Sequence, residues 1–267
     1  MNGAKALCAG ILMAAVTAPA AGQQADRSFC ADRPGIGTPP CTLSPGTAQA
    51  EVGIGDWAWD KSRDGRTDTI SLGEMLLRLG IADHLEAQMG WTAYGHVRER
   101  ESGSVANREG VGDVTLALRR NLQNPDGSGI SIAVMPYVTL PTGGQAIGAG
   151  DWAAGILIPS SFDLGNDLSF EATGEVDAAV DKDRTGRHLA WGETAGLQLA
   201  ISEGVSASLE ASALRDEDPA GHDTRLLTGV SMAWQASKIA QLDAGVNLGL
   251  NRDSPDAEIY IGYSRRL

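Results

Sequence analysis

From about residue 50 to the C terminus, the chain repeats one pattern: nine to twelve residues alternating apolar and polar, then a turn or loop. In 240–251, Ala240, Leu242, Ala244, Val246, Leu248 and Leu250 share one side, opposite Gln241, Asp243, Gly245, Asn247, Gly249 and Asn251. In 85–94, Leu85, Ala87, Met89, Trp91 and Ala93 stand opposite Glu86, Gln88, Gly90, Thr92 and Tyr94. In 168–177, Leu168, Phe170, Ala172, Gly174 and Val176 stand opposite Ser169, Glu171, Thr173, Glu175 and Asp177. A period of two is the strand signature, because successive side chains leave a strand on opposite faces. The polar face carries charge on strand after strand, and a packed soluble core does not accept unpaired charge. The apolar face is therefore the one that seeks an apolar solvent. Hydrocarbon offers the backbone no hydrogen-bond partner, so strands in a bilayer must close on themselves and leave no free edge.

The segments fall near 50–60, 67–79, 84–95, 111–121, 129–140, 151–162, 168–178, 188–201, 205–215, 224–235, 239–251 and 257–267. In the first, the apolar residues change face around Gly53 and Gly55. About twelve strands is an even number, as single-chain bacterial barrels require. Connections at 80–83, 121–127, 163–167, 202–204 and 236–238 are short. Those at 96–110, 141–150, 179–187 and 216–223 are longer and more charged. Short turns on the periplasmic side and long loops outside is the outer-membrane arrangement, and it puts both termini in the periplasm. Trp59, Trp152 and Trp191 fall toward the loop side, and Trp234 and Tyr263 toward the turn side, as two interfacial girdles would. The expectation is an all-β, antiparallel up-and-down transmembrane β-barrel over 49–267. The competing expectation is a large secreted sandwich with one wet face.

The start of the chain reads as a targeting segment. Lys5, an apolar run over 6–16 and the small residues Ala18-Pro19-Ala20 give the order of a cleaved signal peptide, assigned to 1–20. The run is too short for a spanning helix, and Cys8 stands at its beginning rather than after it, which argues against a lipid anchor. Residues 21–48 are rich in Pro, Gly, Gln and Ser and have little periodicity; they are expected as a periplasmic N-terminal segment. Cys30 and Cys41 flank several Pro and Gly residues and enter an oxidising compartment. A disulfide there would contribute about 3 kcal/mol in the chain-entropy model. Two thiols without a nearby His make the alternative, a metal site, the weaker reading.

The net charge of −13 and the lack of a basic, aromatic-interleaved cluster disfavour nucleic-acid binding. Catalysis has little support: there is no G-x-S-x-G elbow, and His84, His96, His188 and His222 are not paired in sequence with a serine nucleophile. A barrel lipid hydrolase is the least favoured reading. Asp216-Glu217-Asp218 and His222-Asp223 carry oxygen ligands suited to Ca²⁺, but an acidic outer loop is more often simply solvated. No metal and no cofactor is expected. The polar strand face is acidic, and Glu86, Asp113, Arg119, Glu171, Glu175, Asp243 and Tyr260 are the candidate lumen-lining residues. Such a wall favours cations. Against it stands a lumen plugged by ion pairs with Arg78, Arg119, Arg120 or Arg266, since twelve strands enclose only a narrow space.

Several ordered motifs resemble one family. Leu77-Arg78-Leu79-Gly80-Ile81-Ala82-Asp83-His84-Leu85-Glu86, Gly110-Val111-Gly112-Asp113-Val114 and Pro136-Tyr137-Val138-Thr139-Leu140-Pro141-Thr142-Gly143 are similar to motifs of the MetA-pathway of phenol degradation family of outer-membrane proteins. The segments 242–251 and 256–267 resemble its end. The resemblance implies a channel or transporter for small molecules, extending to hydrophobic or aromatic compounds, in the outer membrane of a Gram-negative bacterium. Its partners would be membrane lipids, solutes and the barrel-assembly machinery. The alternative is a plugged barrel with a structural or surface-binding role. The last strand departs from the usual insertion signal: Gly262 is in place, but Arg265 takes an apolar position and Leu267, not an aromatic residue, ends the chain.

Overall fold

The computed structural model describes residues 27–267 except residue 145; the expected leader, 1–20, lies outside the described residues. The strands are β1 (Ala48–Lys61), β2 (Gly65–Ala82), β3 (Leu85–Glu101), β4 (Ser104–Gly110), β5 (Val114–Gln123), β6 (Ile130–Leu140) and β7 (Ala153–Gly165). They continue with β8 (Leu168–Val180), β9 (Arg187–Ser202), β10 (Val205–Asp216), β11 (Asp223–Ser237), β12 (Ala240–Gly249) and β13 (Ala257–Arg266). Sequence neighbours other than β4 and β5 pair antiparallel, and β1 pairs with β13 from Gln49↔Arg266 to Trp59↔Ala257, which closes the sheet into a barrel. Twelve strands form its wall. The remaining one, β4, pairs only with the outer half of β3, while the inner half of β3 pairs with β5.

The distribution of side chains is the reverse of a soluble protein's. Leu77, Leu79, Leu116, Leu118, Ile156, Ile158, Leu197, Leu199, Val246, Leu248, Ile259 and Ile261 are exposed. Glu51, Arg78, Glu86, Arg119, Asn121, Ser131 and Ser264 are wholly buried. In β12 the alternation is strict, with Gln241, Asp243, Gly245 and Asn247 inward and Leu242, Ala244, Val246 and Leu248 outward. An exterior of this kind is stable only against lipid. Trp57, Trp152, Trp191 and Trp234 are exposed, a pattern of aromatic residues on the outer surface. The soluble sandwich is thereby set aside.

Two departures from the sequence reading have local causes. The change of face in β1 is a bulge: the register against β13 shifts between Gly53 and Gly55, and exposed Ile54 is the extra residue. The 96–110 stretch, expected as a loop, extends β3 and adds β4 through a tight turn at Ser102-Gly103. That hairpin is exposed along most of its length, so no apolar stripe marked it.

The base of the barrel grips the incoming chain. Gly80 N–H donates to Thr47 O at 2.9 Å, and Gly80 O accepts from Gly46 N–H at 2.8 Å. A Cβ at Gly80 would come within 2.1 Å of Ser44 O, a backbone atom with no way to yield. Gly80→Ala is expected to cost about 1–3 kcal/mol by overpacking. A lowered urea midpoint for folding into lipid vesicles checks this; an unchanged midpoint would mean that the 44–47 backbone moves freely.

Candidate functional site

The interior of the barrel is occupied by its own N-terminal segment. Residues 27–47 form no strand before the final turn into β1, and several of their backbone groups bond to wall side chains instead. Of the 21–48 segment expected in the periplasm, the described part runs into the lumen, reaching wall residues Glu210 and Thr173 near the middle of β10 and β8. Cys30 and Cys41 are joined, with Cα atoms 6.6 Å apart, and the bridge ties the loop between them into a compact unit.

One side of the plug is held by a dense charge network on β1, β2, β3 and β5. Arg78 Nε lies 2.8 Å from Glu86 Oε1 and Nη2 3.0 Å from Glu86 Oε2, a two-pronged pair. Arg78 Nη1 also reaches Glu51 Oε1 at 3.0 Å and Asp32 Oδ1 at 2.8 Å. Arg119 grips Asp32 with both terminal nitrogens, at 2.9 and 2.6 Å, and donates to Cys41 O at 3.0 Å. Leu43 N–H donates to Glu86 Oε2 at 2.8 Å, and the N–H groups of Asp32 and Arg33 donate to Glu51. The planar guanidinium fork makes these bidentate contacts possible and lets two arginines serve three carboxylates.

The other side is looser. Arg33 Nε meets Asp243 Oδ1 at 3.2 Å, and its guanidinium lies 5.4 Å from the Tyr260 ring centre. Arg33 Nη2 and Asp243 Oδ2 are buried without an aligned hydrogen bond. Between the two sides, Glu210 accepts from Ile36 N–H at 2.8 Å and from Gly37 N–H at 3.0 Å. Thr173 Oγ1 accepts from Thr38 N–H and donates to Thr38 O, both at 3.0 Å. Gly35 fits this clasp because a Cβ would lie 2.7 Å from Glu210 Oε2 and its φ of +124° suits only glycine.

The clasp separates two spaces. Toward the turns, a cavity of about 200 Å³ lies between the plug and Ser161, Glu171, Gln198, Ser208 and Glu210. Toward the loops, one of about 440 Å³ has Ile36 among its lining residues and is walled by Asp56, Glu74, Glu175, Glu258 and Arg225. Four carboxylates there face one arginine. At the outer end, the 141–150 loop is pinned by Asp113, which accepts from Gly143 N–H and Ala149 N–H at 2.8 Å each, and Ile147 packs on Gly95 of β3. Arg187 lies over the Trp152 ring at 4.3 Å and pairs with Asp151, holding that carboxyl below its usual range.

The seven residues selected from the alternation therefore part company. Glu86, Arg119 and Asp243 are bonded to the N-terminal segment, and Tyr260 lies beside Arg33. Glu171 faces the lower cavity and Glu175 the upper one. Asp113 sits at the rim and holds a loop. Of the arginines weighed as plugging residues, Arg78 and Arg119 act inside, Arg266 donates to Arg27 O and Ser28 O, and Arg120 faces outward. The segment's own Asp32 and Arg33 were not singled out, since nothing periodic surrounds them.

A family model described as "Putative MetA-pathway of phenol degradation" matches residues 31–267. No curated protein matches the chain in sequence. Among solved structures, the β domain of the Bordetella autotransporter BrkA is 16% identical, with a TM-score of 0.53 over 84% of this chain and 100% of that one. The NanC porin is 9% identical, with a TM-score of 0.52 over 82% of this chain and 100% of that one. The KdgM porin, solved in complex with disordered oligogalacturonate, is 9% identical, with a TM-score of 0.51 over 82% and 98%. At such identities the likeness is one of fold, and that fold is the outer-membrane β-barrel.

Proposed function

The chain belongs to this phenol-degradation family and is a β-barrel of the Gram-negative outer membrane, and from that premise we propose that it is a gated channel for small solutes, held closed by its own N-terminal segment. The observation that carries this reading is the division of the lumen by the Glu210–Thr173 clasp into two cavities. A permanently filled barrel has no use for a solvent-sized chamber on each side of a single chain crossing.

Gating follows from the asymmetry of the plug's contacts. The side bound to Arg78 and Arg119 carries several short ion pairs, against a single one at Arg33, and serves as the anchor. The side at Arg33 and Asp243 leaves buried polar atoms without aligned partners, which costs free energy in the closed state. Residues 33–38 are thus the part that swings, and the space they vacate joins the two cavities. The carboxylates of the upper chamber raise the local concentration of cations and repel anions. Neutral aromatic solutes, suggested by the family's name, pass the same chamber against Ile36, Leu214 and Leu227. Nothing in this function calls for a catalytic group, and His188 is turned to Asp181 and Asp216 rather than to a hydroxyl.

The test is the reversal potential in a salt gradient across a planar bilayer, in protein whose plug has been released. Cation preference is expected, and the double change Glu171→Gln with Glu175→Gln is expected to move the potential toward zero. Anion preference, or a potential indifferent to both changes, would sink the acidic-channel reading. The runner-up, a structural barrel that never opens, draws on the density of the Arg78–Arg119 ion pairs; it predicts silence even when residues 33–38 are set free.

A further inference from the structure

At the outer rim, beyond the lumen's upper cavity, three chain segments bring metal-ligating groups together. Asp181 follows β8, His188 is the second residue of β9, and Asp218 lies just beyond β10. His188 Nδ1 is 2.8 Å from Asp181 Oδ1 and 3.6 Å from Asp218 Oδ2. One ligand atom from each lies within 4.8 Å of the others. Donors bound to one ion at 2.0–2.2 Å stand about 3.4 Å apart in a tetrahedral shell, close to this arrangement. We propose that Asp181, His188 and Asp218 bind a first-row divalent metal ion of the Zn²⁺ type.

The surroundings suit a ligand set. The side chains of His188 and Asp218 are 5% and 1% exposed, so this is a built interior and not a solvated acidic loop. Asp218 is fixed from behind: Oδ2 accepts from Lys182 N–H and Oδ1 from Ala220 N–H, both at 2.7 Å. Glu217 N–H donates to Leu189 O, which docks the loop after β10 onto β9. His188 Nε2 is buried and lacks an aligned hydrogen bond, although Asp216 Oδ1 lies 2.8 Å away. A metal on Nδ1 resolves that orphan. It fixes the proton on Nε2, and a small turn of the ring directs it to Asp216, giving the carboxylate–histidine–metal relay common in such sites.

Three carboxylates around one imidazole call for positive charge. Two neighbouring cations are engaged elsewhere: Lys182 Nζ on Gly221 O and Asp223, and Arg187 on Asp151. An imidazole ligand favours Zn²⁺, Ni²⁺ or Cu²⁺ over Ca²⁺ or Mg²⁺. A bound ion would cross-link the loops after β8 and β10, stiffening the outer rim. The sequence offered no spacing motif, because Asp181 and Asp218 are brought together only by the run of β9 and β10 between them.

The experiment is calorimetric titration of refolded, untagged protein in detergent with ZnCl₂ at pH 7.5. One equivalent is expected to bind. His188→Gln and Asp181→Asn should weaken binding at least tenfold, and Asp216→Asn about ten- to a hundredfold. Affinity should fall on acidification to pH 5.5, because the ligating imidazole must be neutral. Each variant is checked for the heat-dependent gel shift of a folded barrel. Should the variants fail to fold, the Co²⁺-loaded wild type keeps the test open: its absorption and paramagnetic histidine signals must report one bound imidazole. No saturable binding, full binding to folded His188→Gln, or a Co²⁺ complex without histidine would each overturn the proposal and leave His188 as a structural contact of Asp181 and Asp216.

Discussion

Excision of residues 27–46 is expected to turn a nearly silent barrel into a steadily conducting one. The deletion removes every contact that divides the lumen, including the Ile36 and Gly37 donations to Glu210 and the Arg33–Asp243 pair. The wall should survive it. Without Asp32, Arg78 retains Glu51 and Glu86, and Arg119 has Glu86 3.7 Å away, so two arginines still face two carboxylates. A gentler variant isolates the clasp. Glu210→Ala deletes two charge-assisted hydrogen bonds, each contributing about 1.5–3 kcal/mol. A loss of about 3 kcal/mol raises the open population roughly a hundredfold, which would appear as frequent openings on an otherwise closed trace. Single-channel recording decides. A folded deletion variant that stays silent would shift the occlusion to the 141–150 loop and refute the gate.

The second large effect belongs to Arg78. Its side chain has no solvent exposure and serves Asp32, Glu51 and Glu86 at once. Arg78→Met strands carboxylates in a place where water does not reach them. Breaking a buried ion pair from one side typically costs about 3–5 kcal/mol, because the remaining charge keeps its desolvation penalty and loses its partner. Urea titration of folding into lipid vesicles should show that loss. Adding Glu86→Gln should recover part of it, since it removes one of the stranded charges. The outer pair Arg108–Glu99, about half exposed on both sides, is the internal control. Arg108→Met is expected to change stability by about 1 kcal/mol or less. Equal effects at Arg78 and Arg108 would contradict the network as described.

Much of the wall could be read from the chain because its information is local. A strand's two faces are written in adjacent residues, and in β12 the order Gln241, Leu242, Asp243, Ala244 is itself the in-out sequence. Even the bulge of β1 left its trace at Gly53 and Gly55. Where the local signal lapses, so does the reading. The β3–β4 hairpin rises clear of the membrane band, has no apolar face to keep, and therefore passed for a loop.

The sequence by itself determined the barrel, its twelve-strand wall, its polar inward face and which ends carry turns or loops. Each follows from a period-two pattern and from the refusal of hydrocarbon to hydrogen-bond a backbone. Only the tertiary structure decided what fills that interior. Arg33 and Asp243 are 210 residues apart, and Gly37 and Glu210 are 173 apart. Closing the barrel is what brings such pairs within reach. An aperiodic segment has no face of its own; its place is set by whichever buried charges and carbonyls need partners once the wall exists.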